Sequence, residues 1–255
     1  MRYEMMLPHQ IRTAIDQRWP VVLPLGVLEY HGEHLAVGLD TLVVVRSLEQ
    51  LEKEMPLVIL PPFYYGAGGY AVEAPEGKGT VHVDSSELLP LARGLFRSLL
   101  RIGFRNVHAV IHHQSENFVA GMPTDLAFKL AARQATFEFL EKQRGEGWWG
   151  DNKMAAYYAE HAAGDNPFNW VRIHPLMDQT IIEGYDFDHA GVGETSLLLA
   201  LDPAGVDMSK LSTERWYLAS AGKATRQHGQ RAVEMILRRL RGIFGPPVST
   251  PDPPK

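Results

Sequence analysis

The chain of 255 residues contains no cysteine, which excludes disulfides and any thiolate metal site. A bound metal ion would have to be held by His, Asp and Glu. No apolar run approaches the length of a membrane span. Basic residues are not in excess, the formal net charge being −5, and no basic stripe stands out, so nucleic acid is a poor partner. The first ten residues, MRYEMMLPHQ, have no apolar core and no cleavage pattern, and the expected location is the cytoplasm. What remains is an ordinary globular composition, 45% hydrophobic and 22% charged, able to bury a sizeable core.

Short β-branched runs alternate with longer amphipathic stretches. Val21–Leu25, Leu57–Leu60 and Val107–Ile111 read as buried strands. Helices are expected over Thr41–Glu54, over Ser85–Arg101 with Leu88, Leu91, Leu95 and Leu99 on one face, and from Asn117 to about Lys142. Further helices are expected over Asp151–Ala163, Glu194–Leu201 and about Tyr217–Arg241, with residues 164–192 irregular apart from short strands. Unbroken apolar strands between helices predict an α/β fold, a mostly parallel sheet flanked by helices on both faces. Residues 1–245 are expected to form a single domain, and Pro246–Lys255 a flexible proline-rich tail.

Ligands of such sheets bind beyond the carboxyl ends of the strands, and three polar clusters fall there or close by. The first is Glu29, His31, His34 and Asp40, after the first strand. Oxygen and imidazole donors suit Zn²⁺, Mn²⁺ or Fe²⁺, and a carboxylate at Asp40 is able to bridge two ions. A solvated polar loop is the alternative. The second cluster, His112 to Asn117, follows the third strand; strand alternation aims His113 with Ile111 and turns His108 the other way, into packing or to the surface. Its alternative is a helix cap at Ser115 or Asn117. The third runs from Asp186 through Asp188 and His189 to Glu194, with small residues that permit close backbone approach to a ligand; a simple turn is the alternative.

Together these segments resemble the creatininase (creatinine amidohydrolase) family. Leu23–Leu35 with Asp40 is similar to that family's P-x-G-x-x-E-x-H-G-x-H-L-P…D motif. Gly103–Val107, His113 and Asn117 resemble its G-x-R-x-V and N-G-H-x-x-N motif, and His189–Ser196 its H-A-G-x-x-E-T-S motif. Gly79-Thr80, after the glycine-rich stretch Tyr64–Gly79, also has a counterpart. The likeness covers roughly residues 20–200.

The resemblance implies a creatininase-like three-layer α/β/α fold, a homo-oligomer, often a hexamer, and two divalent metal ions, Zn and/or Mn, with Fe compatible. It implies Glu29, Asp40 and His113 at one ion, and His31, Asp40 and Glu116 at the other. It implies His189 as general acid/base, supported by Glu194, with Glu116 also placed to take the water proton. His34 becomes a residue that orients a ligand or the substrate. Tyr65, Trp149 and Asp188 are the remaining expected substrate contacts; Trp148 and Trp170 share the Trp149 region, where packing is the alternative, and Tyr64, Tyr70 and Tyr185 add hydroxyls.

The sequence departs from the pattern at Ala36, in place of proline, and at the second motif. There, counting forward from Gly103 selects His113 and counting back from Asn117 selects Gln114; the strand favours His113. The glycine-rich stretch is also longer than usual, with Glu73, Glu76, Lys78 and His82 in or beside it, which argues against creatinine itself. The implied function is hydrolysis of a C–N bond in a small cyclic substrate. The alternatives are C–C hydrolysis of an oxidised inositol, as in 3-dehydro-scyllo-inosose hydrolase, and an inactive metal- or ligand-binding protein.

Overall fold

A computed structural model describes residues 1–162 and 166–245. Four strands form one parallel sheet: β1 (Val21–Leu25), β2 (Val58–Ile59), β3 (Val107–Ile111) and β4 (Val171–Pro175), in the order β2-β1-β3-β4. Every residue of β1 and β3 is buried, because both sheet faces are covered. Alternation divides them. Val22 and Val110 join one core with α2 (Leu39–Leu51), α6 (Gln179–Gly184), α7 (Val192–Leu201) and α8 (Arg226–Phe244). Val21, Leu23, Leu25, Val107, Ala109 and Ile111 join the other, with α1 (Pro8–Asp16), α3 (Ser85–Ile102) and α4 (Pro123–Arg144). A short helix α5 (Tyr157–Ala162) lies outside both cores. No helix of the described residues is long and apolar enough to cross a membrane.

The strand order reverses between β1 and β3. The connection after β1 leads to β2 on one side, and the connection after β3 leads to β4 on the other. Loops leaving these two strands therefore part and open a crevice at the carboxyl edge.

Several expected elements differ. α3 buries Leu88, Ala92, Phe96 and Leu99, whereas Leu91 is 56% exposed, and the helix packs chiefly against α4. α4 begins at Pro123, not Asn117, because Pro123 fits the first helical position and Asp125 accepts a hydrogen bond from the Met122 N–H at 2.6 Å. The segment from His112 to Met122 is consequently irregular. The expected final helix is broken into two 3₁₀ turns, Trp216–Leu218 and Ala221–Lys223, before α8, which Thr225 caps through the His228 N–H. Helix α1 went unpredicted although Pro8 stands at its start. The expected tail at Pro246–Lys255 and the end of the expected helix at Ala163 lie outside the described residues.

Gly26 follows β1 and packs against the first turn of α2. A Cβ there would sit 2.5 Å from the Thr41 N and 2.8 Å from the Asp40 carbonyl carbon, and backbone cannot yield cheaply. Gly26→Ala is expected to destabilise the fold by about 1–3 kcal/mol, read as a lower urea midpoint. An unchanged midpoint would show that β1 and α2 tolerate separation.

Candidate metal centre

Glu29 and His31 arrive on the loop after β1, Asp40 in the first turn of α2, His112 and His113 just after β3, and Glu194 in the first turn of α7. The two helix N-termini favour the carboxylates they carry. Gly32 adopts φ +83°, a left-handed turn that lets the chain fold back so that both His31 and His34 point inward. The Thr80 hydroxyl accepts the Tyr30 N–H at 3.0 Å and anchors this loop.

Within the loop, the His31 Nδ1 lies 3.0 Å from the Glu29 carbonyl oxygen. That bond sets the ring so that Nε2 faces Asp40 Oδ1 and Glu194 Oε2, each at 3.6 Å. The other Asp40 oxygen, Oδ2, lies 3.5 Å from His113 Nδ1, which is 3.3 Å from Glu29 Oε2. His189 stacks on His31 with ring centroids 4.4 Å apart, and its Nδ1 is 3.9 Å from Glu29 Oε2. The donor atoms form three overlapping groups: Glu29, Asp40 and His113; His31, Asp40 and Glu194; and Glu29, His31 and His189.

Glu194 is held from both sides. His112 Nε2 lies 2.9 Å from Oε1, and the Ala190 N–H donates to Oε2 at 2.6 Å. Ala190 is left-handed, with φ +56°, a strained conformation for a residue with a Cβ that turns this N–H towards the carboxylate. Asp188 accepts the N–H groups of Gly193 and Glu194, at 2.8 and 3.0 Å, and so fixes the start of α7. His34 is buried against the Thr195 hydroxyl at 3.1 Å, one residue further along.

Three carboxylates and three imidazoles in one largely buried volume favour positive charge. Burial pushes the His31 imidazole down, but the Asp40 and Glu194 carboxylates outweigh it and raise it to about 10. Burial opposes His113 in the same way, and the adjacent Asp40 and Glu29 carboxylates raise it to about 10. The reciprocal effect overcomes burial to lower Glu194 to about 2 and Asp40 well below the usual carboxylate range. His31 Nε2 and Asp40 Oδ2 are buried without a hydrogen-bond partner among the described residues. Oxygen and nitrogen atoms aimed at one another across 3.3–3.6 Å, with no hydrogen bond at those two, fit a divalent cation between them.

The expected residues do not all converge. Gln114, the alternative to His113, instead pairs its amide with the Met177 N–H and carbonyl. Glu116 is exposed on the irregular segment before α4, and no donor group among the described residues includes it. Glu194 stands in the third place beside His31 and Asp40. Tyr65 is 52% exposed and meets Phe63 edge-on; Trp149 is 54% exposed and packs on Tyr157 and Tyr158. Trp170 packs on Phe139, below the sheet, and His108 is buried against His174. Sequence reading placed His112 in the second cluster but gave it no role; its pairing with Glu194 was missed, and the histidine doublet was the available signal.

A family model described as "Creatininase: Creatinine amidohydrolase" matches residues 4–244. Creatinine amidohydrolase of Pseudomonas putida is 25% identical over 199 residues, covering 75% of this chain and 67% of that protein. The 3-dehydro-scyllo-inosose hydrolase of Thermotoga maritima is 27% identical over 115 residues, covering 45% of this chain and 36% of that protein. A solved structure described as "Creatininase Mn" has the same fold, with TM-score 0.68 at 19% identity over 96% of this chain and 99% of that one.

Protonated His31 and His113 stabilise the cation-free cluster. Their folded-state values, about 10, exceed the ordinary 6.5, so their contribution is full below pH 6.5 and lost as pH rises towards 10. Metal-stripped protein is expected to lose thermal stability across that window. Adding Mn²⁺ or Zn²⁺ near pH 7.5 should displace those protons, read as a calorimetric heat that varies with buffer ionisation enthalpy. A flat stability profile with buffer-independent heat would contradict this charge balance.

Proposed function

The chain belongs to the creatininase family, and from that premise we propose that it is a hydrolase of small cyclic amides working over two divalent cations. The observation that carries this reading is Asp40, whose two oxygens face different imidazoles, Oδ1 towards His31 and Oδ2 towards His113. Glu29, Asp40 and His113 would hold one ion; His31, Asp40 and Glu194 the other. The chemistry such ions supply when bound is to acidify water and polarise a carbonyl.

The residues around them manage position and protons. His112 and the Ala190 N–H hold Glu194 still, which spares reorganisation during reaction. His189 is the most open imidazole of the cluster, its side chain 28% exposed. Its Nε2 lies 3.2 Å from the Tyr30 carbonyl oxygen, so Nε2 carries hydrogen and Nδ1 is left to accept a proton. Water adds to the carbonyl carbon, the C–N bond breaks, and His189 passes the proton taken from water to the departing nitrogen. The amide reading is preferred because the creatinine amidohydrolase likeness spans 75% of the chain, against 45% for the inosose hydrolase.

One feature favours the second reading, ring opening of an oxidised inositol by C–C hydrolysis. The Tyr217 hydroxyl is buried without a partner among the described residues, and its ring meets His189 edge-on at 5.4 Å. A free hydroxyl there suits a polyhydroxylated ring. Assays with creatinine and with 3-dehydro-scyllo-inosose, scored by product, separate the two; turnover of the inosose alone would replace the amide assignment.

His189→Ala is expected to lower kcat by about 100-fold or more while both ions are retained. Loss of an ion from that variant would show that His189 is a ligand, as its grouping with Glu29 and His31 permits. Glu194→Ala should lose metal, and Glu116→Gln should not; the opposite pattern would return Glu116 to the site.

A further inference from the structure

A second cavity lies at the opposite edge of the sheet, where the strands begin. Its volume is about 670 Å³. Pro20, Asn106 and Trp170, which immediately precede β1, β3 and β4, line it. A strand of five residues spans roughly 15 Å, so this cavity is remote from the cluster at the carboxyl edge. Its described lining contains Arg18, Arg105 and Arg172 and no acidic residue.

Two of these guanidinium groups are set into the wall. Arg105 lies 4.6 Å from the ring centroids of both Phe139 and Trp170, and its Nη1 donates to the carbonyls of Leu100 and Phe104. Arg172 Nη2 reaches the Asn106 Oδ1 at 3.3 Å, while its Nε is buried with no partner among the described residues. Burial lowers both guanidinium groups, and no carboxylate among the described residues offsets it. A partly buried cation without a counter-charge is costly to the fold. The neighbouring His174 adds no second positive charge, since burial, Arg172 and Arg239 hold it neutral, at about 3.

The lip shows a second departure from folding economy. Arg18 occupies a left-handed position, φ 51°, at the end of α1, where glycine or asparagine fits more cheaply. Its carbonyl accepts the Asn106 amide, and Trp19 beside it lines the cavity. Cationic groups, indole rings and amide side chains thus face one space.

From this arrangement, independently of the metal centre, we infer that the cavity is a binding site for a small aromatic oxyanion, a carboxylate or phosphate carried on a flat ring. Arg172 meets the oxyanion and supplies the charge-assisted hydrogen bonds. Trp19 and Trp170 flank the ring.

The test uses the metal-loaded full chain, titrated with phenyl phosphate, benzoate and inorganic phosphate while tryptophan fluorescence is followed. Saturable binding of phenyl phosphate or benzoate is expected, tighter than that of inorganic phosphate; the stronger of the two names the oxyanion. Arg172→Gln should weaken binding roughly ten-fold or more while keeping or raising Tm, since it removes an uncompensated charge. Trp19→Leu, at the lip, provides a second variant and should weaken the ring-bearing probes but not inorganic phosphate. Absence of binding at millimolar probe would overturn the proposal. So would equal affinity in the wild type and both variants, which would place the anion at the metal centre.

Discussion

Asp40 faces two imidazoles at once, and much of the structure around the crevice serves to keep it there. Its carboxylate is buried between His31 and His113, groups delivered by different strands. Gly26 allows β1 and α2 to approach closely enough for this, and the first turn of α2 presents the carboxylate at a helix N-terminus. A misplacement of either element would leave buried charge uncompensated, a penalty of several kcal/mol per ion. Without a cation, the charge on protonated His31 and His113 balances the carboxylates of the cluster.

The supports of the cluster are as specific as its members. His112 and the strained Ala190 hold Glu194, Asp188 fixes the first turn of α7 beneath it, and His34 braces Thr195. Above, the Lys78 ammonium bonds Glu33 at 2.7 Å, and Arg215 pairs with Glu73 at 2.8 and 3.0 Å. These two ion pairs tie the glycine-rich stretch to the rim on both sides. Their exposure makes each worth little alone.

Three strands of the sheet were legible because they are unbroken apolar runs, β1 and β3 to the residue; β4, Val171–Pro175, is not such a run and was not assigned. Family membership was legible because the first and third motifs keep their order and spacing. Three kinds of feature were not legible. Alternation says nothing of His112, which lies past the end of β3, since it holds only while the chain stays extended. The reach of Glu116 depended on where α4 begins, a choice made by Pro123 and Asp125 rather than by the amphipathic pattern. The pairing of Glu194 with His112 spans 82 residues and belongs to tertiary packing alone.

The central proposal is that Asp40 would serve two cations, one through each carboxylate oxygen. Metal analysis of purified wild-type protein and of Asp40→Ala, after dialysis against metal-free buffer, tests it most directly. The account predicts two divalent ions per chain in the wild type and loss of both in the variant. A single ion in the wild type, or a variant that keeps one of two, would contradict it.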